Sequence, residues 1–322
     1  MSKAALIACI MTAPALGACT AEHLTPAPDV RAAAPQSMML APSTCAPPSV
    51  TDGAGLIPDG ASAMMALDVR GIMKGAFGTE LHAAITSTAD GRDGLATLKA
   101  CGLNPDDVER ITMASDLKDG IVIAIEAKGI GKTSTIDCLH DAIEKKVGSS
   151  PWTKTTKACT TALEFDGDDG VAYAAGKNTL VVASKSFDKD LQARLTGRGT
   201  PALAGTLKWA KSSLTMGKSG WFAVDVPSSA SSSLPVPGVE RVGASIDASK
   251  GLALDLSVGM GTQAQAEEIE NNARMLPAMG PMMGVPTGIT DSLKIDRDGS
   301  DVSLEVFVSP EDLKQLKTLA GI

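Results

Sequence analysis

Two stretches of this sequence repeat the same order of strand, polar turn, strand and Gly-x-Gly. That repetition limits the folds open to the chain more than any other feature. "VERITMASDLKDGIVIAIEAKGIG" begins at Val108 and "VERVGASIDASKGLALDLSVGMG" at Val239, 131 residues on, and Gly120 and Gly251 keep the offset. Upstream, "MMALDVR" (64–70) resembles "WFAVDVP" (221–227). Downstream, "LEFDGDDGVAYAA" from Leu163 matches "LKIDRDGSDVSLEV" from Leu293, at an offset of 130. Three blocks in one order point to a tandem repeat of a single module.

Periodicity gives each copy one plan. A strand (63–69; 219–226) leads to a hairpin (108–115 with 120–127; 239–247 with 251–258) and a helix (132–147; 262–276). A second hairpin (160–166 with 170–183; 289–296 with 301–308) and a closing helix (187–196; 310–320) follow. Copy one inserts helices at 71–86, amphipathic through Ile72, Phe77, Leu81 and Ile85, and near 94–101. Copy two has only "SSASSSLPVPG" there. Pro277 is a stop for the second copy's helix, and Ser309 with Pro310 is a cap and first turn for the last one. Strand, helix, hairpin, helix, strand is the ferredoxin-like order, extended by an extra hairpin strand and a terminal helix. The predicted fold class is α+β: two tandem repeated modules, 52–199 and 219–322, each a mainly antiparallel sheet with helices on one face. Residues 200–218 form a linker helix and turn.

The N-terminus gives an address. Lys3 precedes the apolar "AALIACIMTAPALGA", and "LGAC" runs from Leu16 to Cys19, so 1–18 reads as an export signal. These residues resemble the lipobox of bacterial lipoproteins. The resemblance implies cleavage before Cys19, acylation of its thiol and of the new amine, and anchoring by two or three chains. Thr20 in place of Asp implies the outer membrane, and the expected location is lipid-anchored and periplasm-facing. Residues 19–51, rich in Pro, Ala and Ser without period, form a tether. "LKACGLNPDDVE" and the acidic, strand-rich body resemble envelope lipoproteins of unknown activity, which implies location only.

Net charge is −8 with Lys and Arg scattered, and aromatic residues make up 3%. Nucleic-acid binding needs basic stripes and stacking rings, and sugar binding needs aromatic platforms, so both are disfavoured. Once Cys9 leaves with the signal and Cys19 is acylated, Cys45, Cys101, Cys138 and Cys159 remain. An even number in an oxidising compartment reads as two disulfides, with three connectivities. Cys138–Cys159 is the nearest pair, leaving Cys45–Cys101. A zinc cage is disfavoured because no CxxC occurs and the chain has three His.

"AKGIGKTS" imitates a phosphate loop, but the position of the first required Gly is Glu126, five before Gly131. The second copy keeps Gly259 and Gly261 without the Lys. No nucleotide is expected, and Thr133 or Ser134 reads as a helix cap. "DGDDG" (166–170) and "DRDGSD" (296–301) have acids near calcium-loop spacing but lack the closing Glu, so they read as hairpin turns. Met275, Met279, Met282 and Met283 read first as core or loop packing, then as a partner or apolar-ligand surface, with copper as the weakest reading. Ser115–Lys118 and Ser186–Lys189 match Ser-x-x-Lys without the companion motifs of penicillin-binding enzymes. His23 lies in the tether; His82 and His140 read as surface helix residues. Asp106/Asp107 and Glu267/Glu268 read as helix-start or solvated charges. No catalytic residue, metal site or cofactor is assigned. The expected function is a non-enzymatic binding or scaffold role toward a protein or apolar ligand; the rival is a hydrolase acting on cell-wall or lipid substrates.

Overall fold

The computed structural model describes residues 48–320 apart from 77, 166–169, 232–235 and 281–283. The strands are β1 (Ala63–Asp68), β2 (Val108–Ser115), β3 (Ile121–Ala127), β4 (Trp152–Lys157), β5 (Thr160–Phe165) and β6 (Val171–Ala174). They continue as β7 (Thr179–Ala183), β8 (Gly220–Asp225), β9 (Val239–Asp247), β10 (Leu252–Met260), β11 (Lys294–Asp298) and β12 (Asp301–Val308). All join one antiparallel sheet in the order β11-β12-β10-β9-β8-β1-β2-β3-β7-β6-β5-β4.

The expectation of two separate sheets is corrected at the centre. β8 starts no new sheet; it pairs with β1 from Ala63↔Val224 to Leu67↔Gly220. Each half would otherwise expose the backbone of its first strand, and pairing removes both edges at once. The ferredoxin-like order is also corrected. That arrangement would set β1 and β2 parallel with a strand between them, but here they are antiparallel neighbours. Outward from the junction, β1-β2-β3 and β8-β9-β10 run in the same chain order, and β7 and β12 return beside β3 and β10.

One register row shows why so wide a sheet holds together. Ile295, Leu304, Leu256, Ala244, Phe222, Met65, Met113, Ile123, Val182, Ala172 and Leu163 sit opposite one another from β11 to β5. Cross-strand apolar pairs of this kind fix register, because a one-residue slip would turn each to the other face. The stretch 170–183, expected as one strand, breaks into β6 and β7 at Gly176, whose φ of +84° suits glycine. β7 therefore takes the place beside β3, and the match of 163–175 to 293–306 does not hold in the sheet. The unforeseen β4 is an edge strand reading WTKTTK, with little apolar alternation to announce it.

Helices cover both faces, not one. α1 (Val69–Lys74), α2 (Gly78–Ser87), α3 (Ala89–Ala100), α4 (Thr133–Val147) and α5 (Asp188–Leu195) belong to the first half. α6 (Gln263–Ala273), α7 (Leu276–Met279), α8 (Thr287–Ser292) and α9 (Pro310–Ala320) belong to the second. Ile136, Leu139 and Ile143 of α4 pack with Ile123 and Ile125, while neighbouring Val122 and Ala124 face Leu191 and Leu195 of α5. A strand buried on both faces reads as a continuous apolar run, as "VIAI" from Val122 does. The segment 200–218 is part of this second core, with Leu203, Leu207, Ala210 and Leu214 buried beside Trp221 and Ala223. It is a structural layer where a linker was expected.

Side-chain caps form at some of the helix ends. Ser309 Oγ accepts from Asp312 N–H at 3.1 Å, and the Ser309 N–H donates back to Asp312 Oδ2 at 3.2 Å, a reciprocal cap for α9. Pro277 falls within α7, after α6 has ended at Ala273. The cap expected from Thr133 or Ser134 is not formed: α4 starts after Lys132 with no side-chain cap.

Candidate functional site

The inserted helices of the first half roof a cavity of about 360 Å³ against the sheet. Its floor is Ile111 of β2 with Ile125 and Ala127 of β3; its walls include Ile72, Ile85 and Leu98 from the three helices. The chain builds this roof stepwise. Asp68 accepts the Gly71 N–H at 2.9 Å and starts α1, while Thr88 accepts the Gly91 N–H at 3.0 Å and starts α3. Arg92 donates to the carbonyls of Thr86 (2.8 Å) and Ser87 (3.1 Å), satisfying the end of α2. The Ala76 N–H donates to Ala248 O at 3.2 Å, so the roof reaches the β9–β10 turn of the other half.

A disulfide fixes the roof's far end. Cys101, the C-cap of α3, is bonded to Cys138 of α4. This corrects the expected Cys138–Cys159 pairing. Cys101 and Cys138 both pack on the core beneath α4, whereas Ala158, next to Cys159, packs on the opposite face. Nearness in sequence therefore misled. Cys159 is also disulfide-bonded, and Cys45 lies outside the described residues, as does Cys19.

The cavity's polar groups sit at its rim: His82, Lys99, Asn104 and Asp106. Among the described lining residues there is no Ser, Thr or Cys. Such a site can enclose an apolar body and address a polar end, and its volume falls within the roughly 300–1,000 Å³ of ligand pockets. The same sheet face continues past it through half-buried Met65, Phe222 and Leu256.

A second, polar hollow of about 340 Å³ is lined by Asp52, Glu109, Glu126, Lys177 and Asn178 among others. Burial foremost, and then the charge of Asp52, raises the pKa of Glu126, with Arg110 and the Gly53 amide opposing in part. Its Oε2 is buried without a hydrogen-bond partner. The neighbouring "AKGIGKTS" is a turn with its amides in use. Gly129 N–H donates to Asn178 Oδ1 (2.9 Å) and Gly131 N–H to Lys177 O (3.0 Å). A Cβ on Gly131 would lie 2.1 Å from Gly176 O, so this glycine serves close backbone approach.

The remaining sequence candidates are dispersed. Ser115 Oγ accepts from Leu117 N–H in the β2–β3 turn, and Ser186 Oγ lies 3.3 Å from Ser184 Oγ; neither lines the cavity. Asp301 pairs with Arg241 at 2.9 Å beside the tight turn at Gly299, and 166–169 lie outside the described residues. Met275 and Met279 are exposed by 54% and 50%, with Leu276 between them, while Met282 and Met283 lie outside the described residues. Asp106 and Asp107 sit in a 3-10 turn, and Glu267 and Glu268 are exposed on α6. His82 reaches the cavity rim. His140 meets Asp141, Glu144 and Ser150 on the outside of α4.

No protein-family model and no curated protein matches the sequence. Among solved structures, crystal form I of TP0453 is similar with a TM-score of 0.50 at 12% identity, covering 84% of this chain and 98% of that one. Crystal form IV of TP0453 gives 0.49 at 13% identity, with coverages of 83% and 97%. The likeness to crystal form I shows a shared fold, the large antiparallel sheet with its helices.

Proposed function

We propose that this protein is a lipid-anchored component of the bacterial cell envelope that holds an apolar ligand without converting it. The observation that carries the reading is the roofed cavity: apolar floor and walls, polar groups confined to the rim, and no hydroxyl or thiol nucleophile among its described lining residues. The bonded Cys101–Cys138 pair supports an oxidising compartment, and the "LGAC" sequence supports acylation of Cys19, facing the periplasm from the outer membrane. The two halves of the sheet are read as copies of one module. The first copy's helical insertion then supplies the roof that the second copy lacks.

The hydrolase reading has weaker support, since the Ser-x-x-Lys candidates lie away from the cavity. The exposed Met275 and Met279 fit a second role as a contact surface for a protein partner. Extraction of the purified full chain, followed by mass spectrometry, tests the binding role. An apolar molecule should accompany the wild type and be absent from a variant whose cavity floor is filled by Ala127→Leu. Equal recovery from both would remove the cavity from the account. The same spectra should show acyl chains on Cys19, and an unmodified Cys19 contradicts the anchor.

A further inference from the structure

The outer side of α4 carries a cluster that the cavity does not use. We propose that His140, Asp141 and Glu144 form a binding site for a divalent metal ion of the zinc class.

The proton positions lead there. His140 Nε2 lies 3.0 Å from Ser150 Oγ, and the Ser150 hydroxyl donates to Trp152 O, also at 3.0 Å. A hydroxyl has one hydrogen, and this one is committed to the carbonyl, so Nε2 carries the hydrogen and donates to Ser150. In the neutral ring Nδ1 then presents its lone pair to two carboxylates, Asp141 Oδ1 at 3.4 Å and Glu144 Oε2 at 3.8 Å. Nδ1 and one carboxylate oxygen from each acid lie within 4.8 Å of one another, close enough for one ion to reach all three.

The spacing fits a metal ion. With zinc–nitrogen and zinc–oxygen bonds of about 2.0–2.2 Å, donors at the corners of a tetrahedron stand about 3.3–3.5 Å apart. The observed 3.4 Å falls on that edge and 3.8 Å lies somewhat beyond it, and both exceed the roughly 2.7–3.2 Å of a good hydrogen bond. The Ser150 contact supplies the outer hydrogen bond that orients metal-binding imidazoles. The ring's edge-on packing against Trp152 (5.4 Å between centroids, 72°) holds its plane, and the Cys101–Cys138 bond pins the helix beneath it. Asp137, one turn earlier, is committed to Lys154 and stays outside the set. Two carboxylates balance the ion's charge, and their exposure leaves the remaining position to water.

Zinc titration of the metal-stripped full chain against a chromophoric chelator tests this. One ion should bind, His140→Ala should weaken binding at least tenfold, and the exposed Asp141→Asn and Glu144→Gln should each weaken it several-fold without changing the far-ultraviolet dichroism. Glu267→Gln, on a distant helix, should bind as the wild type does. Failure of the wild type to bind zinc, or binding that none of the three substitutions changes, overturns the proposal.

Discussion

Glu126 stands where a phosphate loop would need glycine, and its burial makes it a measurable marker of the folded state. Its pKa is raised in the fold, so the folded chain keeps the proton longer than the unfolded one. Stability is therefore lost as pH climbs from the unfolded value, near 4.5, through the folded one. Glu126→Gln removes that loss. The variant should melt higher than the wild type near pH 7, and the gap should close below about pH 4, by calorimetry across the range. Arg194 shows the opposite solution for a buried charge. Its guanidinium donates to the carbonyls of Gly55 (2.9 and 2.8 Å), Gly199 (2.6 Å) and Arg198 (3.2 Å). Arg194→Ala leaves these carbonyls unpaired and should cost about 3 kcal/mol in denaturant unfolding. Neither role was legible in the sequence. Glu126 was visible only as a defect in a motif, and Arg194 only as one more basic residue on a helix.

At the scale of elements, legibility followed alternation and capping chemistry. β2, β9 and β10 came through closely because apolar patterning and turn signals mark them, β3 because its continuous apolar run does, and α9 because Ser309 and Pro310 announce it. β4 did not, since an edge strand facing water needs no apolar face. The cavity was equally hidden. Ile111, Ile125 and Ile85 alternate as any core residues do, and a hollow is defined by what the helices above them leave unfilled. The Cys101–Cys138 bond closes a separation of 37 residues and ties roof to sheet through α4. The chain-entropy relation gives a bond of this span about 4 kcal/mol. Cys101→Ser with Cys138→Ser should destabilise by about 2–4 kcal/mol and speed amide exchange in α3 before that in β2 and β3. Uniform acceleration across all three would show that the bond does not act on the roof.

At the scale of the molecule, two of the three matching sequence blocks placed β1 to β3 and β8 to β10, but did not show that the two halves share a sheet. Pairing of β1 with β8 joins residues far apart in the chain through backbone groups that any sequence carries. The core on the α5 face draws on both halves, Met64, Ala66 and Ala114 from one and Leu214, Trp221 and Ala223 from the other. The chain should therefore unfold in one calorimetric transition, and two separable transitions would show independent halves. The roof over the cavity also leans on the second half through Ala248, so the proposed ligand binding would belong to the assembled sheet. The most direct measurement of that role is titration of the full chain with a fluorescent fatty-acid probe, comparing wild type with Ala127→Leu. The account predicts saturable one-to-one binding by the wild type, and at least tenfold weaker binding by a variant that melts no lower. Binding unchanged by filling the cavity, or absent from the wild type, would contradict it.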